Sequence, residues 1–161
     1  MVPLIVLAAA SGAALVVTAL RGPHGRADVV VSLRVGVAAM FLVAGVSHFV
    51  GMRDAMIAMV PDVLPLPEVI VTITGMLELA AAGAMASRRL TPWAAIGLSL
   101  LLVAMFPANV SLALTSTDLA WSQTLVPRTI IQAIYLSATT ALAITAMPRA
   151  RRPRVAAATS M

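Results

Sequence analysis

Five stretches of this chain are apolar over about the length that carries a helix across a bilayer, roughly 20 residues. They are Val2–Leu20, Val29–Val50, Val69–Ala86, Pro92–Leu114 and Val126–Met147. None alternates with period two, so barrel strands are not expected. A helix is also the one open element whose backbone satisfies itself in lipid. Composition agrees. The chain is 61% hydrophobic and 11% charged, where soluble domains carry about 45–50% apolar and about 25% charged residues. A water-soluble globule and a disordered chain are both excluded. The expected fold class is all-α, a polytopic membrane helical bundle.

Charge then orients the spans. All eleven basic residues are arginine, and the formal net charge is +5. They sit at the ends of apolar runs and not on one polar face, so nucleic acid is not an expected partner. With five spans, Arg21, Arg26, Arg34, Arg88, Arg89, Arg149, Arg151, Arg152 and Arg154 fall on one side. The other side receives Arg53 and Arg128, with Asp54, Asp62, Glu68 and Asp118. The positive-inside rule places the N-terminus outside and the C-terminus in the cytoplasm. The expected location is a bacterial plasma membrane. The first run lacks a basic lead and a small-residue cleavage site, so it reads as a retained span and not a signal peptide.

The connections are short. Thr91-Pro92 reads as an N-cap followed by proline at the first helical position, and Pro127 as the same device in the fifth span. Met52, Met56, Met59 and Val60 share one helical face, which suggests a short helix lying in the interface. Pro61, Pro65 and Pro67 prevent its continuation. The expected units are residues 1–28 (an extra N-terminal span and its loop), 29–147 (a four-helix bundle) and 148–161 (a basic, disordered tail). Trp93 and Trp121 belong near opposite interfaces. His24, in a basic loop, reads as solvated.

Polar residues inside a membrane are costly and point to function. Glu78 lies near the midplane, where a carboxylate must pair or take up a proton. It suits a ligand or proton site, or equally an interhelical bond beside the small-residue face of Thr74, Gly75 and Ala82. His48, at the outer end of the second span, suits proton relay or ligand contact; the plainer reading is an interfacial histidine. Helical rise places it about 10 Å from Glu78 along the normal. Asn109 follows Pro107, which frees the Val103 carbonyl; its amide can repair that gap or meet a ligand. Arg128, Gln132, Tyr135 and Thr139 form a polar stripe that should face the bundle interior. Arg128 can snorkel, pair with Glu78 or Asp118, or bind an anion. One cavity open toward the outer face would satisfy them all. Cysteine is absent and only two histidines are present, so no metal site is expected.

The run from Arg34 through Phe41-Leu42-Val43-Ala44-Gly45-Val46-Ser47-His48-Phe49 resembles the opening of DoxX-like membrane proteins. Met59-Val60-Pro61, Thr74-Gly75-Met76-Leu77-Glu78-Leu79 and Phe106-Pro107-Ala108-Asn109-Val110 continue that pattern in order. The resemblance spans about residues 30–145. It implies a four-helix DoxX-like core with Val2–Leu20 as one additional N-terminal transmembrane helix. It lands on His48, Glu78 and Asn109. It also implies a subunit of quinone-linked oxidation or of an oxidative-stress complex, with other membrane subunits and the bilayer as partners. No cofactor is expected to be covalently bound, and a quinone is the candidate ligand. Two other readings stand beside it: a non-catalytic scaffold subunit, and a lipid-modifying, isomerase-like enzyme using His48 and Glu78.

Overall fold

The computed structural model of this chain describes residues 2–22, 28–115, 121 and 124–147. His24, Arg26, Asp118 and the tail from residue 148 lie outside them. Within the described residues all regular structure is helical. The helices are α1 (Val2–Arg21), α2 (Val29–Ser47), α3 (Arg53–Ile57), α4 (Pro67–Ala84), α5 (Thr91–Thr115) and α6 (Leu125–Ala146). All but α3 are long and apolar enough to cross a membrane. Their outward faces carry exposed Ile5, Val16, Leu42, Ile73, Leu100, Val103, Ile134 and Ile144, as lipid-facing surfaces require.

The helix ends show where local chemistry overrides simple pattern. Asp28 caps α2, its Oδ1 accepting from the Val31 N–H at 2.9 Å. Thr18 of α1 accepts from the Asp28 N–H at 3.0 Å, fastening α1 to the start of α2. Thr91 is not an N-cap. It already lies inside α5, and its hydroxyl donates to the Ser87 carbonyl at 2.9 Å. Pro127 is not at the first helical position either, because α6 begins two residues earlier, with Thr124 as its cap. Leu66, in the left-handed region at φ 57°, turns the chain into α4, where Pro67 occupies the first turn.

Four helices close a ring: α2 packs on α4, α4 on α5, α5 on α6, and α6 on α2. The α1 helix lies outside the ring and packs against α2. The half of the ring nearest the α4–α5 turn is filled by Val37, Met85, Ala95, Leu98, Leu142 and Ala143. The other half, toward the end of α2 and the start of α6, encloses a cavity.

The α1–α2 contact rests on Gly36. A Cβ there would collide with Ser11 and come within 2.9 Å of the Leu7 carbonyl oxygen. Gly12 has nothing within 4 Å of the same position. Gly36→Ala should therefore lower stability by about 1–3 kcal/mol, the usual cost of overpacking. Gly12→Ala should not. Thermal unfolding of both variants in one detergent checks this; equal midpoints would contradict the close contact.

Candidate functional site

The cavity measures about 700 Å³. Its walls come from α2, α3, the α3–α4 connection, α4, α5 and α6, with Pro3 of α1 also contributing. Most of the lining is apolar, and five methionines (Met40, Met52, Met56, Met59 and Met105) contribute to it. Unbranched thioether side chains adapt to varied ligand shapes. All six candidate residues from the sequence, His48, Glu78, Asn109, Arg128, Gln132 and Tyr135, line this one space.

His48 and Glu78 meet because two glycines let α2 and α4 press together. A Cβ on Gly75 would lie 2.5 Å from the His48 Cβ, and one on Gly45 would lie 2.8 Å from the Leu79 Cγ and 3.2 Å from the Glu78 Cβ. Glycine at both positions removes those collisions. The result corrects two sequence expectations. His48 is not an interfacial side chain: it is 3% exposed, and its ring bonds α4. Nor is it about 10 Å from Glu78, since the His48 Nε2 lies 3.6 Å from the Glu78 Oε2. Counting rise assumed that both spans start level. Helix α2 stops at Ser47, whereas the first two turns of α4 run on past its end, so His48 faces Val71, Thr74 and Glu78.

The hydrogen bonds fix how this pair works. The His48 Nδ1 lies 2.9 Å from the Val71 carbonyl oxygen. A carbonyl only accepts, so Nδ1–H is the donor. In the neutral ring, Nε2 is then a lone pair facing a carboxyl group. Two acceptors repel, so the pair needs one proton between them, on the glutamate or on the imidazole. The Glu78 Oε2 is buried and has no hydrogen-bond partner. An unsatisfied buried polar atom costs about 1–3 kcal/mol, and Glu78, 4% exposed, lines the cavity.

Arg53 supports the pair from outside. Its guanidinium donates to the His48 carbonyl at 3.3 Å and to the Thr72 hydroxyl at 3.0 Å. At the level of sequence Arg53 bears on topology alone, and its position five residues after His48 is the signal that it can reach back to that residue. Met56 of α3, with Met52, Met59 and Val60 on either side of that helix, lines the cavity.

A second polar group sits on α5 and α6. An Arg128 N–H donates to the Asn109 Oδ1 at 2.7 Å, the Asn109 Nδ2 to the Gln132 Oε1 at 3.4 Å, and the Gln132 Nε2 to the Leu102 carbonyl at 2.6 Å. Ser99 and Thr139 bond across the same two helices at 2.8 Å. The stripe on α6 thus faces inward. Asn109 bridges helices and does not repair the gap left by Pro107. Arg128 makes no ion pair with Glu78, and its Nε is buried without a partner. Among the described residues no group of three or more histidine, cysteine or carboxylate side chains is placed to hold a metal.

Over residues 37–150 the chain matches the sequence family described as a domain of unknown function, DUF8561. The chain belongs to that family. The DUF8561 match takes in every candidate residue named above and leaves out α1. No curated protein and no solved structure matches the chain.

In this DUF8561 chain, Gly75→Ala should separate α2 from α4 and break the bond from His48 to Val71. Nitrogen NMR of the His48 ring should show a protonated Nδ1 in the unaltered protein and lose that signature in the variant. Gly83→Ala, with nothing within 4 Å of the added carbon, should leave the spectrum unchanged.

Proposed function

We propose that this protein is an integral membrane subunit that binds a small, largely apolar ligand with a hydrogen-bonding polar end. A quinone is the best-fitting class. The observation that carries this reading is the Glu78 carboxyl: buried, unpartnered at Oε2 and lining an apolar cavity, 3.6 Å from an imidazole. A carboxyl that served only to hold helices together would complete its hydrogen bonds with them. A protonated carboxyl donates to a carbonyl, and an imidazole whose Nδ1 is already committed can exchange a proton at Nε2. Those are the two services a quinone carbonyl needs. Arg128, Asn109 and Gln132 supply a polar rim nearer the start of α6, while the methionines grip an apolar body.

The family-like pattern of His48, Glu78 and Asn109 supports a DoxX-like core for the α2–α4–α5–α6 ring, with α1 as an addition. In that reading the subunit acts with other membrane proteins in a redox or oxidative-stress complex. In the same reading the membrane is a bacterial plasma membrane, and the arginine distribution supports a cytoplasmic C-terminus with the cavity opening toward the outer face. A second reading, acid–base chemistry on a bound lipid, is favoured by the 3.6 Å approach of His48 to Glu78.

The test is to purify the chain from its own membrane without stripping lipid and to identify what co-purifies by mass spectrometry. A quinone at about one per chain is expected, falling about tenfold or more in Glu78→Leu, because the hydrogen bond from the carboxyl is lost. A cavity that carries only bulk phospholipid, with the same content in Glu78→Leu, would overturn the binding reading. If the pair performs chemistry, the compound recovered from His48→Gln will differ in structure from that recovered from the unaltered protein.

A further inference from the structure

At the opposite end of the bundle a second hollow of about 310 Å³ lies between the start of α2, the start of α5 and the end of α6. Its lining includes Arg34 of α2, Arg88 of the α4–α5 turn, Asp28, Thr91 and Thr145. Neither arginine has a hydrogen bond or ion pair with any described residue. Arg34 is half-buried and Arg88 exposed. Asp28 does not neutralise them: its Oδ1 is engaged by the Val31 N–H, and no ion pair to either guanidinium forms. The Thr91 and Thr145 hydroxyls donate to carbonyls of their own chain segments, Ser87 and Ala141. Among the described residues, the side-chain donors left over in the lining are therefore the two guanidiniums, against one carboxylate.

We propose that this hollow binds a phosphate group. Guanidinium presents paired N–H donors that match phosphate oxygens, and its weak hydration makes it suited to such sites. The two arginines are far apart in sequence, and the fold brings them to one concave space. The N-terminus of α5 lies at the same place and adds its positive end to the field, while that of α2 is already capped by Asp28. The space is wide enough for a phosphate with a short polar group attached. At a helix-terminal level of a membrane bundle, such a group arrives either on an anionic phospholipid or free in solution. This site is independent of the cavity at the other end and does not rest on the ligand proposed there.

The experiment uses the full chain in nanodiscs. Thermal unfolding is followed in pure phosphatidylcholine, after part of that lipid is replaced by phosphatidylglycerol, and separately during titration of inorganic phosphate into the phosphatidylcholine discs. A rise in the midpoint with at least one probe is expected. A response to phosphatidylglycerol alone assigns the site to a lipid headgroup, and a response to inorganic phosphate assigns it to a free phosphate. In Arg34→Gln and Arg88→Gln the half-saturating probe concentration should rise about tenfold for each arginine removed. Arg21→Gln, at the same end but outside the hollow, serves as the control and should respond like the unaltered protein. If neither probe moves the midpoint, the proposal fails. It also fails if the two variants respond as strongly as Arg21→Gln, since the effect would then be general surface charge. A variant that does not fold in phosphatidylcholine is replaced by Arg34→Lys or Arg88→Lys. These keep the charge but lose the paired donors, and a phosphate site should still bind more weakly.

Discussion

The contact between α2 and α4 at Gly45 and Gly75 governs everything else in the cavity half of the bundle. In lipid, helices gain little from hiding apolar surface against each other, and close approach of backbones through small residues does the work instead. Here the approach is close enough that a single added carbon on Gly75 would sit 2.5 Å from His48. That closeness brings the imidazole and the Glu78 carboxyl together in a place where neither could be solvated. A carboxylate near the bilayer centre costs about 2.5–3.5 kcal/mol on insertion scales. One proton on either member leaves the pair of Glu78 and His48, 3.6 Å apart, neutral overall.

The two halves of the bundle interior are packed differently. Toward the α4–α5 turn, side chains from α2, α4, α5 and α6 fill the ring, with Val37, Leu98 and Leu142 almost fully buried. Toward the other end, the same helices leave about 700 Å³ open. Polar side chains there are tied in place by neighbours: His48 by Val71 and Gln132 by Leu102, with Arg53 gripping the His48 carbonyl. Two buried polar atoms in that half, the Glu78 Oε2 and the Arg128 Nε, have no hydrogen-bond partner, and both belong to residues that line the one space.

Much of this was legible in the sequence, and the limits have physical causes. The five spans follow from run length alone, because lipid leaves a chain so few alternatives. The six candidates share one cavity because each is a polar group that the bilayer would otherwise penalise. Depth was misjudged for His48 and Glu78. Rise per residue measures distance along one helix, and nothing in the sequence states how far α4 extends past the end of α2. The methionines in and beside α3 carry a clear amphipathic pattern, but an apolar face looks the same whether it meets lipid or a cavity. The bonds from Arg53 to the His48 carbonyl and from the Thr91 hydroxyl to the Ser87 carbonyl leave no mark in the sequence, because their acceptors are backbone carbonyls, which any sequence supplies.

The central claim is that Glu78 and His48 are held for a ligand as well as for each other. A density map of the protein extracted with its native lipid tests it most directly. Non-protein density should extend through the cavity, with one end within hydrogen-bonding distance of the Glu78 carboxyl and the His48 Nδ1 still on the Val71 carbonyl. A cavity closed by its own methionines, with Glu78 hydrogen-bonded to a neighbouring helix and no density beside it, would contradict the claim.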